Sequence, residues 1–150
     1  MKELVILVGL PGSGKTSFYR SHLESTHLHV SKDLMGHARD KGRRQLEEVG
    51  RALRAGRSVA VDNVNARAED RAPLIALGKE LGARVVAYAL QTPVKESLAR
   101  NRSREGRARV PEVAVFVASK RMQPPTPGEG LDAVYRVEAE GGRFEVAPLG

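Results

Sequence analysis

Residues 9–16 read GLPGSGKT and match the pattern G-x-x-x-x-G-K-[ST]. These residue types at this spacing suit one task, the cradling of phosphate. Gly9, Gly12 and Gly14 let the backbone curl until its N–H groups converge on phosphate oxygens. A helix opening near Lys15 adds the positive end of its dipole. Lys15 is placed to reach the β- and γ-phosphates of a nucleoside triphosphate, and the Thr16 hydroxyl to hold Mg²⁺. The expected nucleotide-binding set is Gly9, Leu10, Pro11, Gly12, Ser13, Gly14, Lys15, Thr16 and Ser17, with ATP (or another NTP) and Mg²⁺ as cofactors. Such a loop specifies a nucleotide and leaves open what is done with it.

Two acids stand where strands are expected to end, Asp33 in HVSKDLMG and Asp62 in VAVDNVNA. Ligands of open α/β sheets sit beyond the carboxyl ends of the strands, so both acids are expected at the phosphate crevice. Phosphoryl transfer to an alcohol needs a carboxylate that orients or deprotonates the attacking hydroxyl. One acid near Mg²⁺ and one near the acceptor is the expected arrangement; Asp62 joins Thr16 in the candidate metal set, and Asp33, Lys32, Asp62 and Asn63 form the candidate substrate set. Helix capping by Asp33 and turn formation by Asp62, Asn63 and Asn65 would use the same residue types.

Residues 100–109 read RNRSREGRAR, five arginines with one glutamate. Packed on a helix, these cations repel one another unless an anion arrives. On a continuous helix Arg100, Arg104 and Arg107 would share a face, whereas Gly106 favours a helix end nearby. At least one of Arg100 and Arg104 is expected to pair with phosphate.

Several elements must position these groups. Apolar runs predict strands at Leu4–Val8, His27–Val30, Ser58–Val61, Arg84–Leu90 and Ala133–Val137. Helical patterns fall at Lys15–Leu23, within 38–55 (Leu46, Val49 and Leu53 inward, Gly56 as terminator) and within 67–81 (Leu74, Leu77, Leu81). Thr92-Pro93 reads as a cap followed by the first residue of another helix. Pro111 opens a last one, with Val113, Phe116 and Val117 inward. A turn at Gly141-Gly142 predicts a terminal hairpin. Strand–helix alternation implies right-handed crossovers and a parallel sheet. The expected architecture is one α/β P-loop NTPase domain over 1–150, three-layered around a parallel five-stranded sheet, nucleoside-kinase-like, with a helical lid at about 100–110.

Composition narrows the partners. The formal net charge is +7 and the pI about 10.1, with 18 Arg against 7 Lys, which suits a polyanionic partner. There is no Trp and few other aromatics, which argues against a base-stacking platform. The absence of cysteine excludes disulfides and thiolate metal sites, and His22, His27, His29 and His37 lack metal-site spacing. The N-terminal apolar run is too short to cross a membrane and no cleavage site follows, so a cytoplasmic protein without a membrane partner is expected.

GLPGSGKT, KDLMG after the second strand, VDNVN after the third and the arginine-rich stretch, taken in order, resemble the kinase domain of the 5′-polynucleotide kinases. The resemblance covers about residues 4–138 and includes VPEVAVFVASKRMQPPTPGEG. It implies ATP-dependent phosphorylation of a 5′-hydroxyl of DNA or RNA, with Asp33 as general base, Arg100 and Arg104 as lid arginines on the nucleotide phosphates, and Lys15, Asp33 and Arg104 as the catalytic set. The family's Arg-Asp pair is Lys32-Asp33 here. Gly36 stands where the phage type places a phosphate-contacting arginine. The phosphatase motif of the bifunctional relatives is absent from this stretch, so no phosphatase activity is expected of it. Two rivals keep the same residues: a small-molecule kinase acting on a sugar, nucleoside or drug alcohol, and a non-kinase ATP-binding or ATPase module. A basic path over Lys32, Arg39, Lys41, Arg43 and Arg44 would favour the polynucleotide. The sequence carries no signal for oligomeric state.

Overall fold

The computed structural model describes residues 2–106, 109–140 and 142–149. The elements run β1 (Glu3–Val8), α1 (Lys15–His22), β2 (His27–Val30), α2 (Lys41–Arg54), β3 (Ser58–Asp62), α3 (Ala68–Glu80), β4 (Arg84–Leu90), α4 (Val94–Arg102), α5 (Glu112–Arg121), β5 (Ala133–Glu140) and β6 (Arg143–Pro148). The strands form one sheet in the order β2-β3-β1-β4-β5-β6. The first five strands of that order are mutually parallel, as expected. The sixth, β6, runs antiparallel to β5. It is the second arm of the expected terminal hairpin, whose Gly141 lies outside the described residues.

Strand β1 is buried on both faces, and its alternation explains the layering. Leu4, Ile6 and Val8 share a core with Val49 and Leu53 of α2 and Leu74 and Ile75 of α3. Val5 and Leu7 share the opposite core with Phe18 and Tyr19 of α1. Helix α2 ends as its sequence predicts. Gly56 takes φ +81°, its N–H donates to the Leu53 carbonyl, and Arg57 N–H donates to the Ala52 carbonyl. Among the described residues no helix is long and apolar enough to cross a membrane.

Two local expectations are corrected. On α5 the inward residues are Val115 and Ala118, whereas Val113, Phe116 and Val117 are 65%, 47% and 40% exposed. The run VAVFVA offers no polar residue to orient it, so tertiary contact with Leu10 and Val64 chose the buried flank. Pro93 and Pro111 occupy the cap positions of α4 and α5 themselves. The Thr92 hydroxyl donates instead to the Ser13 carbonyl at 2.7 Å, tying the base of α4 to the phosphate loop.

One buried ion pair was not foreseen. Arg71 of α3 is fully buried. Its guanidinium donates to both carboxylate oxygens of Glu129, at 2.8 and 3.1 Å, and to the Asn65 carbonyl at 2.8 Å. Asn65 has φ +47°, and its Nδ2 donates to the Leu7 carbonyl at 2.7 Å. Arg71 thereby fixes the chain leaving β3. Glu129→Ala strands a buried guanidinium, and a loss of about 3–5 kcal/mol of unfolding free energy is expected in urea titration. A loss below about 1 kcal/mol would place this pair among ordinary surface contacts.

Candidate active site

The loop after β1 is held closely on all sides. Gly12 and Gly14 adopt φ +80° and +101°. A Cβ on Gly12 would stand 2.4 Å from the Ser97 carbonyl of α4, and one on Gly14 would stand 2.7 Å from Arg100 Nη1. Helix α1 opens at Lys15 with Gly14 as its cap, without a side-chain capping bond and with no acid in its first turn. Its first N–H groups are therefore suited to an anion. The Ser13 hydroxyl is buried and lacks a hydrogen-bond partner. This cradle fits a nucleotide phosphate.

Lys15 is buried, and its ammonium donates to the Gly9 and Leu10 carbonyls at 2.9 Å each. Burial pushes its pKa down from 10.5 to about 8; Asp62 and Asp33 oppose the fall and Arg104 adds to it. An arriving phosphate adds negative charge beside this ammonium.

Adjacency of β1 and β3, with Leu7 beside Asp62, brings the second acid to the loop. Asp62 is buried. Its Oδ2 accepts from the Thr16 hydroxyl at 2.7 Å and pairs with His29 Nε2 at 2.8 Å. Burial alone would raise its pKa; the bonds from His29 and Thr16 and the charge of Lys15 hold it below the usual carboxylate value. Among the described residues no group of three or more His, Cys, Asp or Glu side chains is arranged to hold a metal ion. Mg²⁺ would be held by Thr16 and Asp62 together with the phosphates, a donor set that suits a hard ion which keeps several waters.

Lys15, Thr16, Lys32, Asp33, Asp62, Asn63 and Arg104 line one cleft of about 660 Å³, closed on another side by Ala114, Val117 and Arg121. Asp33 is exposed on a 3₁₀ turn, Lys32–Met35, that is capped by Ser31 rather than by Asp33. Asn63 serves the backbone: its Oδ1 accepts from Lys32 N–H at 3.0 Å, and its Nδ2 donates to Gln45 of α2. It therefore fixes the turn that carries Asp33.

The arginine stretch is not one helix. Helix α4 stops at Arg102, so Arg100 and Arg104 do not share a helical face, and Arg107 lies outside the described residues. Arg100 pairs with Glu96 at 3.1 Å and lies against Gly14. Arg104 reaches the cleft from the following loop. Sequence reasoning passed over His29 and Asn101. The polar–apolar alternation of HLHV marks the first as facing one side of an edge strand. No local pattern marks the second.

Residues 4–125 match the AAA domain family. A bifunctional polynucleotide phosphatase/kinase from Schizosaccharomyces pombe is 29% identical over 142 residues, covering 91% of this chain and 33% of the relative. The chain thus spans about a third of that relative's length. Kti12 from Chaetomium thermophilum, solved in complex with ADP-AlF3, superposes with a TM-score of 0.73 at 20% identity, covering 90% of this chain and 88% of that one. A sugar kinase from Janibacter sp. superposes with a TM-score of 0.68 at 16% identity, covering 92% and 86%. The two structural likenesses, both under 25% identical, show the fold alone.

The depressed Lys15 pKa sets a pH dependence. Phosphate beside the ammonium raises its pKa, so the complex keeps a proton that the free protein loses above about pH 8. ATP affinity is expected to hold up to about pH 8 and to fall by up to about tenfold per pH unit above it, with proton uptake on binding at pH 9. Calorimetry in buffers of different ionisation enthalpy measures that uptake; no uptake would contradict the assignment.

Proposed function

The chain belongs to the AAA domain family, and we propose that it is an ATP-dependent kinase that phosphorylates a 5′-hydroxyl end of DNA or RNA. The observation that carries this reading is the exposed carboxylate of Asp33 in the same cleft as Lys15, Thr16, Asp62 and Arg104. Nucleotide binding would need the loop residues alone. An acid facing their open side is what an alcohol acceptor requires.

In the proposed reaction the loop N–H groups and Lys15 hold the β- and γ-phosphates. Thr16 and Asp62 would hold Mg²⁺, which would supply neutralisation of phosphate charge. Asp33 orients the acceptor hydroxyl and takes its proton as the oxygen bonds to the γ-phosphorus. The bond from that phosphorus to the β-phosphate oxygen breaks in line and ADP departs. Arg104, with Arg100, stabilises charge on the phosphoryl group in flight. Residues 1–150 act as one catalytic domain in this scheme, with 100–110 as the lid.

The polynucleotide acceptor rests on the resemblance to the phosphatase/kinase relative. One observation favours the small-molecule reading. In the expected basic path Arg43 pairs with Asp40 and Glu47, each at 3.7 Å, and Arg44 with Glu48 at 3.5 Å. Those acids offset part of the charge a strand would meet.

The deciding experiment offers ATP labelled at the γ-phosphate, with Mg²⁺, to short DNA and RNA strands ending in 5′-OH or 5′-phosphate, beside a panel of sugars and nucleosides. Label is expected on the 5′-OH strands alone. Asp33→Asn should lower transfer by about 10²–10⁴-fold with ATP affinity retained. Label on sugars or nucleosides and none on strands would establish the small-molecule kinase. ATP turnover without any acceptor, unchanged in Asp33→Asn, would establish an ATPase module.

A further inference from the structure

The loop that carries Arg104 into the cleft is fastened at both ends by one side chain. Asn101, near the end of α4, is fully buried. Its Nδ2 donates to the Val110 carbonyl at 2.7 Å, and its Oδ1 accepts from Val110 N–H at 2.9 Å. One amide thus satisfies both backbone groups of a residue beyond the loop, closing 102–109 at its base. A second tie lies beside it, where Arg102 Nε donates to Glu112 of α5 at 2.6 Å. Within the loop, Arg104 N–H donates to the Asn101 carbonyl at 3.1 Å.

The clamp is itself anchored to the phosphate loop. A Cβ on Gly12 would approach Asn101 N to 3.2 Å and the Ser97 carbonyl to 2.4 Å, so α4 and the loop backbone are in direct contact there. Val110 packs into the small core of Leu10, Val115 and Ala118. Arg104 in turn lines the same cleft as Lys15 and Thr16.

We propose that Asn101 is a positioning residue for phosphoryl transfer: it fastens the arginine loop to the phosphate loop and so holds Arg104 at the transferring phosphate. The inference rests on the kinase reading of the cleft. With Arg104 already lining the cleft, the cation stands in place before charge develops. A displacement of about 1 Å suffices to cost about 10²-fold in rate.

The test is a double-mutant cycle in single-turnover transfer from ATP to the acceptor identified above, with Asn101→Ala, Arg104→Ala and the pair. Each single variant is expected to lower the rate by about 10²-fold or more with KM for ATP changed less than about threefold. The pair should be no slower than Arg104→Ala. Multiplicative losses, or an Asn101→Ala effect confined to KM, would overturn the proposal. Asn101→Asp keeps size and the bond from Val110 N–H, and serves if the alanine variant does not fold. Limited trypsinolysis separates this inference from the kinase reading, because it needs no activity. Cleavage within 102–109 is expected to rise about tenfold in the folded variant, and unchanged cleavage would overturn the clamp even if transfer is confirmed. No transfer by the wild-type chain, with increased cleavage in the variant, would leave the clamp standing as architecture and overturn its catalytic role.

Discussion

A carboxylate buried at the end of β3 has to be paired, and its pairing organises the cleft. Asp62 Oδ2 takes a bond from Thr16 on α1 and faces His29 on β2, so elements from both sides of β3 converge on one oxygen. The stacking of Tyr19 on His29, with ring centroids 4.4 Å apart, holds the imidazole at that oxygen. Removing any one donor would leave a buried charge less compensated, which costs far more than a surface pair is worth. The strand order that places β3 between β1 and β2 is thus coupled to the chemistry at its carboxyl end.

From that point the site extends in two directions. Toward β1 lie the glycine loop and the buried Lys15, whose pKa is depressed by burial although Asp62 and Asp33 lie near it. Toward β2 lies the turn with Asp33, held by Asn63 and Gln45. The phosphate loop is therefore buried, and the side that carries Asp33 is open. This division fits a reaction in which most of the catalytic effect comes from positioned charge, while the acceptor is admitted from solvent.

The parts of this design written locally were legible in the sequence. The glycine loop, the five parallel strands, the Gly56 helix stop and the acids after β2 and β3 each declare themselves within a few residues. Long-range partner choice was not legible. Arg71 and Glu129 lie 58 positions apart, and neither residue type announces a buried fork. Thr92 has the sequence context of a cap, but its hydroxyl found the Ser13 carbonyl. The α5 run is apolar at every position from Val113 to Ala118, so its periodicity held no information about which flank would be buried. Asn101 shows the same limit, since an asparagine near a helix end has many ordinary uses and only the fold supplies Val110.

In the proposed reaction Asp62 joins the metal to the phosphate loop, and ATP affinity with and without Mg²⁺, in the wild-type chain and in Asp62→Asn, measures that link. Mg²⁺ is expected to tighten ATP binding by about tenfold or more in the wild-type chain and scarcely at all in Asp62→Asn, with metal-free ATP bound at least as well by the variant, which lacks one nearby negative charge. An equal Mg²⁺ enhancement in both proteins would contradict it and place the metal elsewhere.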